Sequence, residues 1–380
     1  MASSTTAGAG VRRQGLRVAW VPVARGAGRV AWRSYTGENA GILVAAMLVI
    51  VGVFGIVLRD QGFLTSSNLL QIIRLSATIT IMAVATVFVI SAGEIDLSIA
   101  AVIPVSGLIS AVLMTWGYGS MFSAFVAVMF GVGVGLANGI VTVAFRIPSF
   151  VVTLGMMGIL QGLAQKVTNT NTISISNQRF IFWFGGGDVG PIPILDLWSL
   201  AALVVGVVIL NWTALGRKVL ATGANRNAAR FSGIRTGRIR IGVLTASGAA
   251  GAIAGLLYNG QFGAAEFTTG SSDLLTVIAA TIIGGTLLMG GKGSVVGAVV
   301  GSLLIGTLNN ALVLLNLGAP DQLIVRGLII VVAVIASSRQ TRSREPWRWL
   351  AALEARQVRL WGPPSAAESA LATQRVEGVP

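Results

Sequence analysis

Long apolar runs without charge constrain this chain more than any other feature. They occupy residues 40–58, 75–93, 97–145, 147–165, 197–215, 241–258, 274–290 and 294–316. A further run, 322–338, holds a single charge, Arg326. A helix needs about 20 apolar residues to cross a bilayer. The 97–145 run is too long for one crossing and breaks naturally at "TWGYGS", 115–120. The pattern predicts an all-α, polytopic membrane protein of about ten transmembrane helices.

Composition agrees. The chain is 54% hydrophobic, has a mean hydropathy of +0.81 and is only 11% charged, where soluble domains carry about 25%. One soluble core cannot bury so much apolar surface, so lipid must be the main solvent. The net charge of +14 does not indicate nucleic acid, because the charges are sorted by position. With the N-terminus inside, the inner segments are 1–39, the turn at Arg146, the loop 212–240, the turn at Lys292 and the tail from Arg339. They hold 22 of the 27 Lys and Arg residues. Arg59, Arg74, Lys166, Arg179 and Arg326 remain outside. That asymmetry matches the positive-inside rule and places both termini in the cytoplasm. The expected domains are a basic cytoplasmic tail (1–39), a transmembrane domain (40–338) with an external loop at 166–196, and a cytoplasmic tail (339–380).

Several chemistries are disfavoured. The chain has no Cys and no His, which removes disulfides, thiol catalysis and the commonest zinc ligands. "GTLLMGGKGS" (285–294) approaches the phosphate-binding G-x-x-x-x-G-K-[ST], but its Lys comes one residue late and Gly293 replaces the Ser/Thr. It reads as a glycine-rich turn, so no ATP site is expected here. Glycines four apart, at 131, 135 and 139, at 251 and 255, and at 293, 297 and 301, read as faces for close helix packing.

The polar residues inside the apolar runs are candidates for function. Glu94 and Asp96 lie between two spans, where charge is costly and marks a function by default. Asp96 or Ser98 equally suits a cap for a helix starting near Leu97. Asn138, Asn309, Asn310, Gln161 and Gln165 read as inter-helix hydrogen-bonding groups or as lining for a hydroxylated solute. "GEIDLSIAAVIPVSG" followed by "GLANGIV" is echoed by "GSSDLLTVIAATIIGG" followed by "GTLNNAL", an internal repeat of the kind transporters use. The loop 212–240 holds seven basic residues and no acid. Within it "NRNAARFSG" predicts a short helix, with Asn225 as N-cap and Gly233 as its stop.

Four stretches, "GEIDLS" (93–98), "PSFVVTLG" (148–155), "LGRKVLATGANRNAARFSGI" (215–234) and "IAATIIGGTLLMGGKGSVVGAVVGSLLIGTLNNALVLL" (278–315), resemble the permease subunits of bacterial ABC importers for ribose, xylose and similar sugars. The resemblance runs from about residue 40 to 337. It implies a pathway formed by two permease copies in the bacterial inner membrane, in contact with membrane lipid and not with nucleic acid. A periplasmic or lipid-anchored sugar-binding protein would deliver substrate. A separate ABC ATPase subunit would hold ATP and magnesium, leaving this chain without catalysis or cofactor. It also implies that Gly223, Asn225, Ala228, Ala229, Arg230 and Gly233 form the coupling contact with that ATPase. Glu94, Asp96, Asn138, Asn309 and Asn310 are the candidates for the pathway or a helix break. Two positions depart from the family: Glu94 stands where a Gly is usual, and Asp273 precedes Leu274, where an acid is common. Rival readings are a related permease for branched-chain amino acids or nucleosides, a stand-alone secondary transporter, or a membrane enzyme.

Overall fold

A computed structural model describes residues 38–318, 320–325, 327, 328 and 331. The described residues are overwhelmingly helical. In chain order the helices are α1 (Glu38–Val57), α2 (Ser66–Ser91), α3 (Ile99–Thr115), α4 (Ser120–Ala144) and α5 (Ser149–Thr168). They continue with α6 (Gln178–Ile181), α7 (Ile194–Val207), α8 (Ala214–Ala224), α9 (Arg226–Phe231), α10 (Thr236–Phe262), α11 (Asp273–Ile283) and α12 (Val295–Leu314). A π-helical stretch, Val208–Trp212, extends α7. Lipid offers no partner for backbone N–H and C=O groups, and a helix satisfies them internally.

Six of these helices are long and apolar enough to cross a membrane: α2, α4, α5, α7 with its extension, α10 and α12. Within α1, Leu43–Val57 is apolar but shorter, as are α3 and α11. The described residues therefore place a helix at nine of the ten predicted spans. Most of the tenth, 322–338, lies outside the described residues, as do the tails 1–37 and 332–380. Two boundaries differ most from expectation. Helix α2 begins at Ser66 rather than Leu75, because Thr65 caps it and Asn68 and Arg74 find partners on other elements. Helix α11 stops at Ile283 rather than Gly290, because Gly285 and Gly290 both take positive φ and turn the chain away.

The core is organised on α10 and α2. Helix α10 packs on α4, α3 and α2, and α2 is enclosed along most of its length. The predicted glycine faces are where backbones touch. A Cβ on Gly131 would collide with the Gly248 carbonyl, and one on Gly135 with the Leu244 carbonyl. On α10 itself, Gly255 abuts the Ile103 carbonyl of α3. Gly297 and Gly301 of α12 lie against Gly284 and Ala280. Such contacts replace the hydrophobic drive that lipid cannot supply between helices.

The bundle has two distinct ends. At one, the loop 212–240 packs against the α2–α3 and α11–α12 turns. At the other, β1 (Ile173–Ser174) pairs antiparallel with β4 (Ala264–Ala265). There β2 (Asp188–Val189) also pairs with β3 (Ile192–Pro193), and Arg74 meets Asp188 at 3.3 Å. The segment after Lys166 is more than a polar loop, since Phe180 and Phe184 stack with centroids 4.8 Å apart and are buried. The two echoing segments sit at opposite ends of α10. Glu94 bonds Arg240 near its start, and Asp273 accepts from Tyr258 near its finish. Those α10 positions are about 27 Å apart at 1.5 Å per residue. An inverted pair of repeats requires that placement.

Two outcomes test this architecture. Gly135→Leu forces a side chain into the Leu244 backbone and should cost about 1–3 kcal/mol, read as a lower melting temperature in detergent. The chain has no native Cys, so single cysteines report topology cleanly. Ser232→Cys should react with an impermeant maleimide only from the cytoplasmic side, and Ser176→Cys only from the outer side. The reverse pattern would invert the orientation.

Candidate functional site

The loop 212–240 folds by local rules. Thr213 Oγ1 accepts from the N–H groups of Leu215 and Gly216 at 3.2 and 3.3 Å and so caps α8. Asn225 is extended, with φ −157°, and ends that helix. Its Oδ1 then accepts from Ala228 N at 3.0 Å and starts α9. Gly233, at φ +82°, reverses the chain after Phe231, and α10 begins at Thr236. The result is a helix–break–helix unit, α8–α9, on the end of the membrane bundle. The expected short helix is α9; α8 before it was not anticipated, because its Lys-, Arg- and Gly-bearing sequence resembles a loop.

This unit is braced to the bundle at two points. The first is a meeting of three glycine turns. A Cβ on Gly223 would collide with the Ser91 carbonyl, while Gly291 N donates to that same oxygen at 2.9 Å. A Cβ on Gly290 would come within 3.0 Å of both Gly223 O and Gly93 Cα. The near-P-loop at 285–294 is thus a packing turn, and its glycines allow backbones to meet.

The second brace is ionic. The Glu94 side chain is 2% exposed. Arg226 Nη2, from α9, donates to its Oε1 at 2.7 Å. From α10, Arg240 Nε donates to the same oxygen at 2.5 Å, and Arg240 Nη2 to Oε2 at 3.2 Å. A buried carboxylate is tolerated when it is paired and hydrogen-bonded, and here one acid holds two arginines from the loop. Glu94 is thereby placed as a clamp.

Between α2 and α3 the helix is broken from Ala92 to Ser98, and its backbone needs other partners. Helix α5 supplies them. Ser149 Oγ accepts from Ile95 N at 3.0 Å. Thr153 Oγ1 accepts from Leu97 N at 3.1 Å and donates to Ile95 O at 3.3 Å. Asp96 Oδ1 accepts from both Ser98 N and Ser98 Oγ, at 2.9 and 2.6 Å. Ser98 holds the N-cap position of α3 without a side-chain cap bond, so Asp96 orders the approach to the helix, while Ser98 accepts from Asn138 Nδ2 at 2.8 Å. Ser149 and Thr153 were not anticipated; their spacing of four in "PSFVVTLG" on one helix face is the signal that could have found them.

The remaining candidates fall in different places. Asn310 exchanges two hydrogen bonds with Asn68, at 3.0 and 2.9 Å, and ties α12 to α2. Asn309 stands beside it with its Oδ1 buried and unpaired among the described residues. Asn259 of α10, absent from the sequence candidates, donates to Gly107 O at 2.8 Å. Gln161 and Gln165 face outward from α5. Within the loop, Ala229 is only 4% exposed and Gly223 is packed, so both face the chain's own interior. Asn225, Ala228, Arg230 and Gly233 are exposed. Phe231 is 93% exposed, and no sequence pattern had singled it out.

The clamped turns join the loop 212–240 to the helical membrane bundle. The family described as "Branched-chain amino acid transport system / permease component" matches residues 68–334. The chain belongs to that family. The permease is 32% identical over 302 residues to the ribose import permease protein of Escherichia coli (strain K12), covering 78% of this chain and 92% of that protein. It is 33% identical over 307 residues to the L-arabinose ABC transporter permease protein of Azospirillum brasilense, covering 80% and 89%. The D-allose transport system permease protein of E. coli K12 is 32% identical over 289 residues, covering 76% and 88%. No solved structure matches the chain. A permease of this family is a multi-pass inner-membrane protein without a catalytic domain, and ATP is hydrolysed on a separate ABC ATPase.

The clamp makes a graded prediction. Arg240→Gln strips the buried Glu94 of its less exposed partner and should cost about 3 kcal/mol. Arg226 is half-exposed, so Arg226→Gln should cost about 1 kcal/mol or less. Melting temperatures of the two variants in detergent report the order; equal losses would show that Glu94 does not bind the two unequally.

Proposed function

We propose that this permease forms the membrane pathway of an ATP-driven importer for a monosaccharide. The basic end is cytoplasmic, and the α8–α9 unit is the surface on which the ATPase docks. The observation that carries the reading is the double brace of α8–α9. A helix pair fixed at Gly223 and Glu94 to the α2–α3 break passes a push from outside into the spans. Asn225, Ala228 and Phe231 form the outward contact. An exposed Phe on a short helix is a strong candidate for burial in a partner. Gly223 and Ala229 position that surface from beneath.

Three further elements complete the proposal. A second copy of the permease completes the pathway, and an extracytoplasmic sugar-binding protein loads it. The sugar class is supported by relatives whose names specify ribose, L-arabinose and D-allose. Identities near one third across three sugars support the class rather than one member. Glu94, Asp96 and Asn310 serve helix break and packing. Asn138 and Asn309 each keep a buried side-chain oxygen without a partner among the described residues, which supports these two amides as the ones that meet solute.

A second reading follows the family's description, which specifies branched-chain amino acids. Such a solute carries both charges and calls for fixed counter-charges in the spans. Among the described residues, of the two buried acids on the basic side Glu94 is already committed to two arginines and Asp96 to Ser98.

Reconstitution decides between the readings. Proteoliposomes holding the permease, its ATPase and its binding protein should take up labelled ribose, arabinose or allose only with internal ATP. Leucine uptake in their place would support the second reading. Sugar uptake by the permease alone on a proton or sodium gradient would overturn both. Phe231→Ala should weaken ATPase association at least about tenfold, the loss typical of a hot-spot residue, while membrane insertion is kept. Unchanged assembly would remove α9 from the interface.

A further inference from the structure

A cavity of about 1200 Å³ lies at the basic end, between the α4–α5 turn and the α9–α10 segment. Arginines reach it from three separate stretches of chain: Arg146 in the first, Arg226 and Arg230 in α9, and Arg235, Arg238 and Arg240 around the start of α10. Among the described residues its only acid is Glu94, which is committed to Arg226 and Arg240. Arg146, Arg230, Arg235 and Arg238 make no ion pair among the described residues.

Two further features reinforce that charge. The N-termini of α5, 20 residues long, and α10, 27 residues long, both open on the cavity. Neither has a side-chain cap, so each adds the positive end of a helix dipole. The wall between these charges is apolar. Ile147 and Phe150 line the cavity, and both are exposed, as is the neighbouring Phe145. Helix α5, which rises from this wall, is the least enclosed of the six long spans. Its side is therefore open next to the cavity.

A rule that counts basic residues on inner loops explains their number. It does not explain why three stretches converge on one space with an apolar wall. We propose that this cavity is a binding site for the headgroup of an anionic phospholipid, with an acyl chain lying along Phe150 and the outer face of α5. The phosphate sits among Arg146, Arg235 and Arg238 at the two helix N-termini. Basic pockets at the inner ends of transmembrane helices hold anionic headgroups in this way. The ATPase face proposed above lies on another side of α9. Arg226 and Arg230 are four apart and face the cavity, whereas Ala228 and Phe231 are three apart and face away.

The test uses the full chain in nanodiscs made from equal phosphatidylglycerol and phosphatidylcholine, with retained lipid measured by native mass spectrometry. The wild-type chain should retain phosphatidylglycerol preferentially, and the preference should fall as salt is raised. Each arginine near an anionic leaflet is worth a factor of about five, so R146Q and R238Q should each lower the preference by about that much. The control R217Q/K218Q removes two charges from the same loop away from the cavity and should keep the preference. All variants are first checked for a single symmetric size-exclusion peak, and R238Q alone carries the test if R146Q fails. Equal retention of both lipids by the wild type would overturn the proposal. So would an equal loss in the control, which would mean general surface charge. Protection of an R238C variant from maleimide only when the ATPase is added would assign the cavity to that subunit instead.

Discussion

Backbone hydrogen bonding in a medium without water is the constraint on which the rest of this structure depends. It makes the chain helical and makes every interruption costly. The interruption at residues 92–98 persists because other elements satisfy it. Ser149 and Thr153 of α5 take its N–H groups, and Asp96 and Asn138 order its far side. Glu94, inside the break, is then free to use its charge elsewhere, and it holds two arginines of the loop 212–240. A local need, partners for a broken helix, thus places a carboxylate where it links the membrane bundle to an element outside it.

Glycine does the complementary work. Along α4, α10 and α12 it lets backbones touch where lipid provides no drive for side chains to associate. At the basic end, Gly93, Gly223, Gly290 and Gly291 let three turns share one small space. The α8–α9 unit is therefore seated on the bundle by backbone contact and locked there by charge. Both links reach the same break between α2 and α3. On the proposed function, a force on Phe231 would pass through these two links into the spans.

Much of this was legible in the sequence. The apolar runs located nine helices of the described bundle, and the glycines four apart marked real backbone contacts. Asn225 and Gly233 bounded a short helix as their types predict. What the sequence hid depends on partners distant along the chain. The nine-residue extension of α2 is stabilised by Asn310 and Asp188, each more than a hundred residues away. Gly223 and Ala229 looked like surface in a polar loop, yet they are the buried side of it. Phe231 had no periodic pattern to mark it, and its meaning comes from an exposure only the fold reveals. Glu94 stood out in the sequence as a departure and as a candidate for the pathway or a helix break, but its pairing with Arg226 and Arg240 became visible only in the fold.

The central claim is that Glu94 connects the docking surface to the pathway. The most direct measurement is sugar transported per ATP hydrolysed, compared between wild type and Glu94→Gln in reconstituted importer of equal assembly. The account predicts that ATP hydrolysis continues in the variant while uptake per ATP falls several-fold. An unchanged ratio of uptake to hydrolysis would contradict it.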